Sequence, residues 1–323
     1  MLQKSILQTI AFFDIFDFPL TPEEIQELLF GYNKPVHIKE IKGTLEMMGN
    51  LEKIHEFYVL KGRGKLVDTR KARKFIAEKL WGRVRQYCQY LVNVPFVEMV
   101  GVCNNLAYDN PSETSDIDLF IVIKKGRMWI ARLIISLILQ FHGVRRHGDK
   151  ITGRFCLSFF TTPEKLNMEP LLLKPSDPYM AYWTRLMMPI YGEETYLKFI
   201  DSNKIWLEKD YGIKFGDTSK IKFSFSGKSP AKKFRELVLK GWLGDMIEWF
   251  LKKTFKKRTL KKAAMLGNEA SVIVSDEILK FHNKDRRTEY LEKWEKTIAE
   301  NPVIPVVQDG QNIGSESDRS DIA

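Results

Sequence analysis

The chain has 323 residues, 44% of them hydrophobic, enough for one large domain or several small ones around a sizeable core. With 51 basic against 41 acidic residues, its formal net charge of +10 favours anionic partners such as nucleotides, nucleic acid or an acidic membrane surface. Three cysteines without Cys-x-x-Cys spacing and scattered histidines argue against a disulfide framework or a structural zinc site, and are read as reduced thiols in a cytoplasmic protein. The N-terminus lacks the basic segment, apolar core and cleavage site of a signal peptide. The most apolar stretch, Met128 to Phe141, is interrupted by Arg132 and is too short to span a bilayer.

In chain order, Gln3 to Ile15 has the apolar spacing of a helix, broken by Phe16-Asp17-Phe18-Pro19-Leu20. Thr21-Pro22-Glu23-Glu24 is a capping box, with Thr21 at the N-cap, Pro22 at the first helical position and Glu24 reaching back. A third helix is expected from Val36 to Met48. Short strands follow around Lys53-Ile54 and Phe57 to Leu60, before the turn Lys61-Gly62-Arg63-Gly64. Three helices and a hairpin over residues 1–68 resemble a winged helix, whose third helix would read DNA. That helix carries Glu40 and Glu46 beside His37, Lys39 and Lys42, and the second helix is acidic, so a packing role is the favoured reading. Residues 69–91 form a basic linking helix with Phe75, Leu80, Val84, Tyr87 and Leu91 on its buried side. Its charge is expected to be solvated or to hold a polyanion.

Residues 92–176 read as the core: strand Val97 to Val102, a polar turn, strand Ile117 to Lys124, helix Met128 to His142, and strand Arg154 to Phe160. The chemistry lies in Ser115-Asp116-Ile117-Asp118-Leu119-Phe120-Ile121-Val122. Residues i and i+2 of a strand point to one face, so Asp116 and Asp118 project side by side from an apolar, β-branched run. Two such carboxylates repel each other and are costly to bury unpaired; a divalent cation resolves the conflict. The pattern predicts an Mg²⁺ site, with Mn²⁺ as a substitute, acting on phosphates.

Together with the preceding turn Asn104-Asn105-Leu106-Ala107, the segment Ser115-Asp116-Ile117-Asp118-Leu119 resembles the DNA polymerase β-like nucleotidyltransferase superfamily. Within it the match is to prokaryotic nucleotidyltransferase-domain proteins with a helical N-terminal region. Gly126 to Trp129, Arg154 to Ser158 and Lys280 to Arg287 extend the similarity over most of the chain. The resemblance implies an α/β (α+β) core with a small mixed sheet, flanked by the winged-helix-like unit and a helical C-terminal region. It also implies transfer of a nucleoside monophosphate from an NTP to an unspecified hydroxyl acceptor. Asp116 and Asp118 would be the catalytic metal ligands, and Asn104, Asn105, Ser115 and Ser158 would contact the nucleotide.

Two departures stand out. The family's phosphate-contacting Gly-Ser pair is Asn104-Asn105 here, and the later strand offers Ser158 where active members carry a third carboxylate. They keep a second reading open: a non-catalytic nucleotide- or nucleic-acid-binding protein with a degenerate core. Arg127, Arg132, Arg145, Arg146, Lys150 and Arg154 are candidates to neutralise phosphates.

Residues 177–300 are expected to be helical, with helices from Tyr179 to Met188 and Glu193 to Phe199 separated by Pro189. A polar linker covers 212–230 and a basic amphipathic helix runs from Phe234 to Leu260. That helix sets Trp242, Trp249 and Phe250 beside a lysine cluster. It suits RNA, DNA or an anionic membrane surface as well as it suits plain packing, and a scaffold that docks through it is a third reading. Residues 301–323 are Gly/Ser/Asp-rich and expected to be disordered.

Overall fold

The computed structural model describes residues 1–227, 229–265, 271–282 and 284–303; the expected tail from 304 onward lies outside the described residues. The chain opens with α1 (Leu2–Asp14), α2 (Pro22–Glu27) and α3 (Ile38–Glu46), then the antiparallel hairpin β1 (Leu51–Ile54) and β2 (Phe57–Leu60). The capping box forms as the sequence predicts: Thr21 Oγ1 accepts from Glu24 N–H at 3.3 Å, and the Glu24 carboxylate accepts from Thr21 N–H at 2.9 Å. α4 (Leu66–Leu91) follows. Three of its four arginines turn inward: Arg70 pairs with Glu24, Arg73 donates to the Phe16 carbonyl, and Arg83 donates to the Gly153 carbonyl, while Arg85 is exposed. Phe75, expected on the buried side, is exposed instead, with Lys79 over its ring.

The remaining elements build a mixed α/β fold. They are β3 (Val97–Cys103), β4 (Ile117–Ile123), α5 (Met128–Phe141), β5 (Phe155–Thr161), α6 (Pro178–Leu186), β6 (Met188–Tyr191), α7 (Glu193–Tyr211), α8 (Pro230–Val238), α9 (Trp242–Ala264), β7 (Ser271–Val274), β8 (Ile278–His282) and α10 (Arg287–Glu300). Six strands form one sheet in the order β6-β3-β4-β5-β8-β7, with β4 and β5 parallel and the other neighbours antiparallel. β4 is apolar after Asp118 because both faces of the sheet are covered. Leu119, Ile121 and Ile123 pack with Trp129, Ile135 and Leu139 of α5 and with α4. Phe120 and Val122 face the other way, into a cluster with Trp183, Phe199 and Trp294 that also takes in Ile6, Ile10 and Phe13 of α1. The N-terminal helices therefore share a core with α6, α7 and α10. Trp294 Nε1 donates to the Gln8 carbonyl at 2.8 Å, and the Tyr182 ring lies 4.3 Å from that of Phe12.

The region beyond residue 177 is not purely helical: it supplies β6, β7 and β8 to the sheet. Pro189, read as a helix break, sits in β6 at the sheet edge, where a missing N–H costs no ladder bond. α7 runs on past Phe199 to Tyr211, because Asn203, Trp206 and Leu207 continue its buried stripe. The helix expected from Phe234 to Leu260 is two helices. The chain folds back at 239–241 so closely that a Cβ on Gly244 would collide with the Leu239 carbonyl.

One buried ion pair ties α10 into this core. Arg287 Nη1 lies 2.8 Å from Asp177 Oδ2 and donates to the Leu171 carbonyl at 2.8 Å, while Asp177 Oδ1 accepts from Met180 N–H and caps α6. Burial alone would raise the Asp285 pKa, but Arg287 outweighs it and holds the carboxyl down at about 2. Arg287→Met should cost roughly 3–5 kcal/mol in urea or guanidinium unfolding, because Asp177 is left charged and buried. Adding Asp177→Asn should recover part of that loss.

Candidate functional site

The site forms where β3 ends and β4 begins. Cys103 closes β3, and Asn104 turns the chain with φ of 58°, a left-handed conformation that asparagine tolerates better than most side chains. The turn brings Asn104 back over β4. In the register, Asp118 lies opposite Cys103 on one side and Cys156 of β5 on the other. Asp116 stands immediately before β4. One ligand atom from each of Asp116, Asp118 and Cys156 falls within 4.8 Å of the others. The two carboxylates thus share a face, as their spacing predicts.

Protein groups already answer both charges. Asn104 Nδ2 donates to Asp118 Oδ2 at 2.7 Å, and Asn104 Oδ1 accepts from the Tyr179 hydroxyl at 3.1 Å. Tyr179 in turn stacks on Tyr290, with ring centroids 5.2 Å apart. Arg146 Nη1 donates to Asp116 Oδ2 at 2.5 Å and lies 3.5 Å from Cys156 Sγ. Burial, reinforced by the charge of Asp116, still pushes Asp118 up to about 6. Burial and the two carboxylates raise Cys156 to about 12, so it is a neutral thiol near pH 7.

The other predicted residues are distributed unevenly. Asn105 turns away, its Oδ1 accepting from the Tyr108 hydroxyl at 2.8 Å. The Ser115 hydroxyl closes its own turn by accepting from Ser112 N–H at 2.9 Å. Ser158 is buried on β5, two residues past Cys156, and hydrogen-bonds that thiol. Of the basic candidates, Arg146 reaches the carboxylates. Arg127 is engaged by the carbonyls of Leu239 and Lys240, and Arg154 by those of Gly143 and Arg145. Arg132 lies over the Phe281 ring, its centroid 4.7 Å away. Cys156 and Tyr179 escape sequence reasoning. Strand register decides that Cys156, not Ser158, faces Asp118, and nothing local marks Tyr179.

The donor set fits a divalent cation. Paired carboxylates suit Mg²⁺ or Mn²⁺, and a cation would relieve the repulsion that raises Asp118; the thiol is a softer third donor beside them. Behind Asn104 lies a cavity of about 30 Å³ lined by Phe13, Phe16, Tyr108, Tyr179, Tyr182 and Trp183, room for a water but not for a nucleobase. Comparison with protein-family models, curated proteins and solved structures finds no match.

Asp118 makes stability depend on pH in a specific window. Its folded pKa of about 6 lies above the ordinary 3.8, so the folded state binds the extra proton. The contribution is present below about pH 4 and is lost as pH rises through 6, by roughly 2–3 kcal/mol. Asp118→Asn should flatten the melting profile across this window. Added Mg²⁺ or Mn²⁺ should raise the wild-type melting temperature above pH 6, with little effect at pH 4, where protons occupy the site.

Proposed function

We propose that this protein is a divalent-metal-dependent nucleotidyltransferase of the polymerase β-like kind, moving a nucleoside monophosphate from an NTP to a hydroxyl acceptor. The reading rests on one observation: Asp116 and Asp118 converge at the start of a buried strand, directly under the left-handed turn at Asn104. When bound, Mg²⁺ or Mn²⁺ would supply charge neutralisation for the triphosphate and the leaving pyrophosphate. Asp116 and Asp118 would hold it. With Asp116 so engaged, Arg146 would be free to pair with a phosphate oxygen. The Asn104 amide, which donates to Asp118, would contact the nucleotide phosphates. We read the N-terminal helices and hairpin as a winged-helix-like module used for packing, because α1 is buried against Tyr182 and Trp294.

A second reading is favoured by a specific observation. Arg146 and Asn104 already satisfy the carboxylates. The place beside them is filled by Cys156, whose raised pKa keeps it from acting as a base near neutrality. A non-catalytic nucleotide- or nucleic-acid-binding protein with a degenerate core would look this way.

The test is a paired titration of wild type and Asp118→Asn with each labelled NTP, with and without Mg²⁺ or Mn²⁺, followed by incubation with a cell extract as acceptor source. Wild type should bind NTP more tightly with metal and transfer label. The variant should lose the metal-dependent gain, at least ~10-fold by comparison with losses at metal sites generally, and its transfer. Nucleotide binding without metal dependence or transfer would select the second reading.

A further inference from the structure

The helices α8 and α9 turn charged side chains inward and leave large apolar ones exposed, although Leu251 and Phe255 of α9 also pack on the core. On α8 the side chain turned inward is Lys232, fully buried, its Nζ donating to the carbonyls of Val92 and Val97 at 2.7 Å each and to the Tyr191 hydroxyl at 3.1 Å. Glu236, one turn on, accepts from Phe96 N–H at 2.9 Å. Their apolar neighbours face water: Phe234 is 67% exposed, Leu237 71%, and Val238 is open too. α9 repeats the pattern. Glu248 points inward and caps α5 by accepting from the N–H groups of Trp129 and Ile130 at 2.8 and 2.9 Å, while Trp242, Met246, Trp249 and Phe250 point out, Trp242 being 76% exposed. Single exposed apolar residues are ordinary; a clustered set of this size marks a surface meant to be covered.

Charge indicates what covers it. Lys252 and Lys256 share Asp276, but no ion pair among the described residues engages Lys253, Lys257, Arg258 or Lys261 further along α9. Lys253 lies over the Trp249 ring, 5.0 Å from its centroid, so cationic and apolar groups are interleaved on one face. A self-complementary interface between two copies would bring this basic strip against itself. The exposed rings would suit stacked bases, but Leu237, Val238 and Met246 among them add apolar area that base stacking leaves uncovered. Tryptophans and aliphatics flanked by lysines do suit the headgroup boundary of an acidic bilayer. No helix among the described residues is long and apolar enough to cross a membrane, so such contact would be peripheral.

We propose that the outward face of α8 and α9 docks on an anionic lipid surface, the apolar side chains entering the headgroup boundary and the lysines meeting lipid phosphates. The proposal is independent of the nucleotide reading.

The test is sedimentation of the full chain with vesicles of phosphatidylcholine alone or with roughly one-third phosphatidylglycerol, at low and high salt. Binding is expected to the anionic vesicles and to weaken with salt. Trp242→Ser with Trp249→Ser should lower the partition at least ~10-fold, and Lys253→Glu with Lys257→Glu should lower it by a similar factor on anionic vesicles. The four side chains are exposed, so melting temperatures should match wild type and separate lost docking from lost folding. Absence of wild-type binding to anionic vesicles overturns the proposal, as does equal binding by both variants. So does finding that these residues instead support RNA or DNA binding, or self-association, by a protein that ignores the vesicles.

Discussion

A carboxylate that cannot be fully hydrated governs the centre of this molecule. Asp118 is the second residue of a strand whose next five residues are buried, and it is flanked by Cys103 and Cys156 on the neighbouring strands. Its solvation must be replaced locally. The left-handed turn at Asn104 places an amide on it, Tyr179 orients that amide, and Arg146 steadies Asp116 beside it. These replacements are incomplete, since burial and Asp116 still hold the proton on Asp118 to about pH 6. Two close carboxylates in a packed fold therefore carry a cost that Arg146, Asn104 and, at low pH, a proton on Asp118 offset in part.

The same strand explains what was legible beforehand. The continuous apolar run from Leu119 to Ile123 shows a two-sided buried strand, and spacing alone puts Asp116 and Asp118 on one face. The Thr21 capping box and the helix from Met128 are equally local signals and form as read. What fails is non-local. β6 is four residues long and contains a proline, so only its place at the sheet edge makes it a strand. β8 is legible as a partner of β5 only after folding, and Cys156 becomes the third group of the site only through the parallel register with β4. Ser158 is the residue the family resemblance points to, but β5 shifts register between Cys156 and Phe159, and the pairing with Asp118 falls on Cys156.

The hairpin of α8 and α9 shows a different limit. Periodicity detects an apolar stripe but not its direction. Trp242 and Trp249 look like core tryptophans until Lys232 and Glu248 are found doing the anchoring. The inversion is stable because each inward charge has a dedicated receptor: three oxygens for Lys232, and the open end of α5 for Glu248. Basic residues of α4 behave in the same way, with Arg70 and Arg73 spent on the N-terminal helices rather than offered to a polyanion. A chain with net charge +10 thus uses many of its cations internally, and its surface basicity has to be judged residue by residue.

Packing also fixes how anything could approach Asp118. The sheet face it shares with Phe120 is filled by α6 and α1, and the Tyr179 hydroxyl that meets Asn104 is backed by Tyr290 and Phe16, the last two with ring centroids 5.1 Å apart. The cavity on that side takes little more than a water. The opposite side is different. Arg146 is 38% exposed at its side chain and is held by the Asp116 carboxylate and the Cys156 sulfur. A ligand that displaces the Arg146–Asp116 contact must satisfy both partners again. A phosphate does this for the arginine and a divalent cation for the aspartate. On the nucleotide reading proposed above, a phosphate chain carrying its own cation would meet both needs at once, with any base left outside the aromatic wall.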